Sequence, residues 1–216
     1  MAEIQIYGAA GASYPWSTRL CCEEKGVSHA FVDSDFRSDA FREEHHPYNK
    51  MPAMTHGDVH LFETTAIARY INEAFDGPAL EPTDPVARAH TEQVTSAYKD
   101  YMYKDLVPGY LLKYLFAKDG AVDREAIEAA LPVVEKHLNV LASLHTGSPW
   151  FVGDTVTVAD LIAGPVLVYL DLKTPEGHDM IRARPKLAGL VDALFARPSM
   201  QATLPPPLKA CALAAE

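Results

Sequence analysis

At 216 residues, 48% of them apolar, the chain is long enough to bury one large core or two small ones. Its formal net charge of −10 argues against nucleic acid and against an anionic membrane surface, since both call for clustered Lys and Arg. No apolar run approaches the roughly 20 residues that span a bilayer.

The opening Met1-Ala2-Glu3-Ile4 has neither the basic start nor the apolar stretch of a secretory signal. Cys21, Cys22 and Cys211 form no C-x-x-C pair and read as reduced thiols. A cytoplasmic protein is expected. Nine histidines raise the question of a metal, but His45 and His46 are adjacent, His56 and His60 flank a turn, and no metal-binding motif accompanies them. No metal is expected.

In chain order, Ile4 to Tyr7 alternates as a short strand, and the small residues Gly8 to Ala12 read as a loop. Pro15 suits the first turn of a helix that stops at Lys25-Gly26. His29 to Asp33 reads as a second strand, and Ser38 to Glu44 as a short helix ending before Pro47. Gly57-Asp58 joins two further strands as a hairpin. Thr64 opens a helix with Ile67, Tyr70, Ile71 and Ala74 on one face. The order is β-α-β-α-β-β-α.

Three prolines from Pro78 to Pro85 mark a linker. Beyond it the periodicity is helical. Val94, Ala97, Tyr98 and Tyr101 line one helix, which Pro108-Gly109 interrupts or bends. Ile127 to Leu141 line a second, with Pro132 placed near its first turn. Val158 to Pro165 and Leu187 to Leu194 mark two more, and Pro205-Pro206-Pro207 begins an extended tail. Periodicity alone gives an α/β domain at 1–77, a linker at 78–85 and an all-α domain at 86–216.

Three segments share one order and spacing: Asn49-Lys50-Met51-Pro52, Phe62-Glu63-Thr64-Thr65-Ala66-Ile67-Ala68-Arg69-Tyr70-Ile71, and Phe151-Val152-Gly153-Asp154-Thr155-Val156-Thr157-Val158-Ala159-Asp160. Together they resemble the cytosolic glutathione S-transferases, and Ala196-Arg197-Pro198-Ser199 resembles the segment closing that family's last helix. The resemblance covers nearly the whole chain. It implies a thioredoxin-like N-terminal domain, an all-helical C-terminal domain, glutathione as co-substrate and a homodimer. The subclass reads as bacterial-type and serine-like rather than cysteine-type.

By that resemblance the Met51–Pro52 bond is cis, and the Met51 backbone pairs with the cysteinyl part of glutathione as an added strand does. Glu63 and Thr64 hold the γ-glutamyl end, Thr64 being a good N-cap at a helix start that attracts anions. Lys50 reaches the glycyl carboxylate, with His45 or His46 as possible helpers. The set Thr157 to Asp160 is a capping box, a folding device without chemistry.

The chemistry requires an ionised glutathione sulfur. A free thiol titrates near about 8.5, and a helix N-terminus with a hydroxyl donor lowers that value. Ser13 is the first candidate donor and Tyr14 and Tyr7 are alternatives, followed by Ser17 and the backbone amides. Counting back from Glu24-Lys25-Gly26 puts the family's usual serine position on Ala12, so Ser13 requires a one-residue shift in the loop. Cys21 and Cys22, two turns into the helix, read as buried hydrophobes, and Arg19 reads as structural. Tyr103 and Tyr110, seven apart, are candidates to line a pocket for a small hydrophobic electrophile. The expected activity is glutathione transfer. Alternatives on the same fold are a glutathione-dependent isomerase, dehalogenase or β-etherase, and a non-catalytic binding module.

Overall fold

The computed structural model describes residues 3–117 and 120–212. Met1 and Ala2, which entered the N-terminal reading, and the Cys211 side chain lie outside what is described. The chain divides into two compact units, one running to Glu81 and including Pro198–Pro206, the other comprising Pro82–Arg197 and the residues from Pro207.

The first unit carries β1 (Ile4–Gly8), α1 (Ser13–Lys25), β2 (His29–Asp33), α2 (Asp39–Glu44), β3 (Ala53–His56), β4 (Val59–Phe62) and α3 (Thr64–Ala74). Its sheet order is β2-β1-β3-β4, with β1 parallel to β2 and antiparallel to β3. Ile4 and Ile6 are buried while Gln5 is exposed, so one face of β1 belongs to the core with Leu20, Ile67 and Ile71. The other face meets the end of α2, where Tyr7 stacks on His45 with ring centroids 4.0 Å apart. Gly26 closes α1 in the left-handed region at φ 75°, its N–H donating to the Glu23 carbonyl while that of Val27 reaches Cys22. The first unit thus has the thioredoxin-like order expected.

The second unit is helical. Asp84 caps α4 (Pro85–Ala97) by accepting from the Val86 and Ala87 amides. The helix continues through a π turn at Tyr98–Met102 into α5 (Tyr103–Leu106), a second π turn at Val107–Leu111 and α6 (Leu112–Leu115). Pro108 therefore does not end the helix. It has no N–H to return to Lys104, and the wider π turn absorbs the missing bond. Next come α7 (Arg124–Leu144), α8 (Val158–Lys173), α9 (Pro175–Arg182) and α10 (Pro185–Phe195). Pro132 lies well inside α7, not near its first turn as expected. Asp160 holds the start of α8, accepting the Thr157 amide at 2.7 Å and the buried Phe151 amide at 2.7 Å.

Two short helices follow, α11 (Pro198–Thr203) and α12 (Pro206–Ala212). The expected extended tail is thus helical, because proline fits the first turn of a helix. The expected assignment of all of 86–216 to the helical part also changes. Residues 198–206 group with the first unit, where the buried Trp16 indole N–H donates to Thr203 Oγ1 at 2.9 Å.

Candidate active site

Gly8 ends β1 at a point of close approach. A Cβ there would lie 2.5 Å from Pro15 Cγ and 3.3 Å from Met51 Cβ. Only glycine lets the strand end, the first turn of α1 and the Met51 segment converge. The Ala9 amide donates to Met51 Sδ at 3.3 Å. The loop is anchored from β2, with the Ala10 amide on Asp33 Oδ1 at 3.1 Å and the Ser34 amide on the Gly8 carbonyl at 3.1 Å.

Ala12 is the N-cap of α1, in extended conformation and without a side chain able to cap. Ser13 is the first helical residue. It is 6% exposed, and its buried Oγ has no hydrogen-bond partner among the described residues. Tyr14 is half-buried beside it. Ser17 donates back to the Ser13 carbonyl at 3.1 Å. The Tyr7 hydroxyl donates to Gln5 Oε1 at 2.6 Å and lies 3.2 Å from Thr55 Oγ1. Two of the candidate hydroxyls, those of Tyr7 and Ser17, are therefore engaged elsewhere. The Ser13 hydroxyl is left over at the positive end of a 13-residue helix.

The Met51–Pro52 peptide is cis. Lys50 is exposed just before it. Asn49 sits at φ 49°, its side-chain amide donating to the Arg37 carbonyl at 3.1 Å. His46 lies beneath this loop, 2% exposed, accepting the Tyr48 amide at Nδ1 at 3.3 Å and packing on Phe62 at 4.7 Å between ring centroids. Burial lowers the His46 pKa; nearby Glu63 raises it and Lys50 lowers it. Lys50 and Glu63 are thus brought to the same buried imidazole. Of the two histidines left open by the sequence, His46 joins this group and His45 stacks on Tyr7. Arg37 was not singled out from the sequence. Its backbone is tied to Asn49 across the loop, a contact with no local sequence signal.

At the start of α3 the sequence reading needs correction. Glu63, not Thr64, is the N-cap, and Thr64 is the first helical residue, 4% exposed. Glu63 adopts φ 72° and ψ 121°, a left-handed backbone that costs of order 1–3 kcal/mol in a non-glycine residue. Its side chain is exposed and makes no capping bond. No acidic residue occupies the first turn of α3, so its positive end is not neutralised from within.

The two tyrosines proposed for the second pocket are in the second unit. Tyr110 is fully buried and donates to Glu176 Oε2 at 3.2 Å, and burial pushes its phenol well above the usual range. Tyr103 is half-buried, edge-on to Tyr98 at 6.2 Å. Tyr110 lies within the π turn at Val107–Leu111, which departs from the regular seven-residue face on which their pairing rested. Of the two, Tyr110 is buried in the helical core and Tyr103 is the more accessible. Cys21 and Cys22 are buried, and burial pushes the Cys22 thiol up to about 12 and that of Cys21 higher than ordinary as well. Among the described residues no group of three His, Cys, Asp or Glu side chains could hold a metal ion, and no helix is long and apolar enough to cross a membrane.

Residues 2–73 match the glutathione S-transferase N-terminal domain, and residues 109–204 match the glutathione S-transferase C-terminal domain. Glutathione S-transferase F6 of Arabidopsis thaliana is 28% identical, over 94% of this chain and 100% of its own. Glutathione S-transferase 3 of Zea mays is 26% identical, over 96% of this chain and 98% of its own. Among solved structures, glutathione transferase F7 from Populus trichocarpa superposes with a TM-score of 0.80 at 22% identity, covering 93% of this chain and 97% of that one. These relatives are plant proteins and give no support to the bacterial-type subclass expected from the sequence.

Proposed function

Because the chain belongs to the glutathione S-transferase family, we propose that its first unit binds glutathione along Met51 and that the bound thiolate attacks a small hydrophobic electrophile. The backbone of Met51 pairs with the cysteinyl residue. Thr64 and the first-turn amides of α3 take the γ-glutamyl carboxylate, and the exposed Glu63 carboxylate takes its ammonium. Lys50 faces the glycyl carboxylate. The plant relatives favour a subclass like theirs over a bacterial one.

The observation that carries this reading is the Ser13 hydroxyl, buried and unpartnered at the N-terminus of α1 beside the Gly8 junction with Met51. A donor left unsatisfied in the protein gains most from an anionic sulfur. A hydroxyl and a helix terminus together lower a thiol from about 8.5 by one to several units, and a drop of about two units ionises roughly three-quarters of it at pH 7. In the reaction the sulfur lone pair forms a C–S bond. With an aryl halide the halide leaves with its electron pair; with an enone the pair moves to the carbonyl and solvent supplies the proton. A metal takes no part. A cytoplasmic homodimer is the form in which we place this chemistry.

The test is Ser13→Ala. With an aryl halide as second substrate, kcat should fall tenfold or more while the glutathione KM changes only a few-fold, the pattern of an interaction made mainly to the thiolate. Unchanged kcat would assign sulfur activation to the first-turn amides.

A further inference from the structure

Helix α1 is held near both ends by one turn of chain that comes from the far end of the sequence. Trp16, three residues after Ser13, is fully buried, and its indole N–H donates to Thr203 Oγ1 at 2.9 Å. The Thr203 hydroxyl donates in turn to the Ser199 carbonyl at 2.8 Å. The Ser199 hydroxyl donates to Glu24, in the last turn of α1. A hydrogen-bonded path thus leaves α1 at Trp16, crosses α11 and returns at Glu24. Ser199 and Thr203 are buried, as are Met200 and Leu204 between and after them.

The near end of this path lies at the reactive turn. The Trp16 amide makes the first bond of the helix, to the Ala12 carbonyl at 3.2 Å. Any shift of the indole is therefore passed to Ala12 and Ser13. Pro15, between them, fills the space a Cβ on Gly8 would need, its Cγ standing 2.5 Å from that position. The first turn is fixed between two contacts, Gly8 ahead of it and Thr203 behind.

We propose that α11 is a positioning clamp for the sulfur-activating turn, with Trp16 and Thr203 as positioning residues that set where Ser13 and the first amides of α1 meet the glutathione sulfur. This rests on the functional reading above. Neither side chain touches glutathione. Both act by limiting the excursions of the donors, and a donor displaced by a fraction of an ångström stabilises an anion less than a preorganised one.

The experiment is an ultraviolet titration of the thiolate of bound glutathione in wild type, Trp16→Phe, Thr203→Val and Thr203→Ser, with glutathione affinity measured by calorimetry. Phe keeps most of the ring and removes the donor; Val keeps the shape and removes the hydroxyl; Ser keeps the hydroxyl. We expect Trp16→Phe and Thr203→Val to raise the thiol pKa by about half a unit or more, a roughly threefold loss of thiolate below that pKa. The glutathione Kd should stay within about twofold, and Thr203→Ser should restore most of the shift. Ser199→Ala, at the milder end of the path, should move the pKa in the same direction by less, and it serves if the core variants do not fold. Variants that bind glutathione and melt lower but keep the wild-type thiol pKa would overturn the clamp alone. A wild-type protein whose bound thiol is unshifted would overturn the functional reading and the clamp together.

Discussion

Replacing Gly8 by alanine tests the junction on which the site depends. The new Cβ would stand 2.5 Å from Pro15 Cγ, 3.1 Å from Pro15 Cβ and 3.3 Å from Met51 Cβ. Carbon atoms rest at about 3.5–4.0 Å, so something must yield by roughly 1 Å. The proline ring cannot rotate away, because its φ is fixed and it lies in the first turn of α1. Either the first turn of α1 or the Met51 segment must move. Overpacking of this kind costs about 1–3 kcal/mol, which for a chain of this size lowers Tm by roughly 2–10 °C. Misplacing reactive groups by 1 Å costs up to about 10²-fold in rate. The assay is steady-state kinetics with a chromogenic aryl halide, varying glutathione, alongside a thermal melt. We expect kcat/KM for glutathione to fall between about tenfold and a hundredfold. A variant with kcat/KM within threefold of wild type and an unchanged Tm would refute the argument that Gly8 sets the spacing of the two segments.

Thr64→Val, which removes the hydroxyl at the start of α3 while keeping its buried shape, should raise the glutathione KM about tenfold with little change in kcat at saturation. His46→Leu should raise the glutathione KM several-fold, because the Tyr48 amide loses its acceptor beneath Lys50, and His46→Asn, which still offers an acceptor, should lose less. Asp160→Ala leaves the Phe151 and Thr157 amides without their acceptor, and urea denaturation should show a loss of about 3–5 kcal/mol. Glu176 gives a pH dependence. Burial pushes its carboxyl up, but the Tyr114 hydroxyl, its own backbone amide and the Arg124 guanidinium outweigh this and hold it at about 2, below its usual 4.5. Its stabilising contribution is therefore present above pH 4.5 and is lost as pH falls towards 2. Between pH 5 and 3, the urea midpoint of wild type should fall more steeply than that of Glu176→Gln.

What the residues reveal depends on whether their signal is local. Ile4 and Ile6 alternate with Gln5 and Tyr7, and Gly57-Asp58 marks a two-residue turn, so β1 and the hairpin are legible. The strand His29–Asp33 is found at its expected bounds. The start of α1 is harder, because Pro15 draws attention to itself while Ala12 carries no capping group. At Glu63 no local code predicts a left-handed glutamate, and the next residue, a good capper by type, attracts the assignment. The pairing of Tyr103 with Tyr110 assumes 3.6 residues per turn throughout, and the π turn that begins at Val107 breaks that assumption. Arg37 and Asn49 are joined across a loop, and Thr203 reaches Trp16 from the other end of the chain; neither contact leaves a periodicity to read.

The interleaving of the two units has a consequence during synthesis. Pro198–Pro206 completes the unit begun by the first 81 residues, and all of Pro82–Arg197 separates the two pieces. At typical ribosome speeds of about 5–20 residues per second, the strands and helices of the earlier part wait on the order of ten seconds for their last segment. Through that interval the indole of Trp16 has no acceptor from Thr203, and Met200 and Leu204 have yet to be buried. The nascent chain is therefore a candidate for chaperone capture until Pro198–Pro206 emerges.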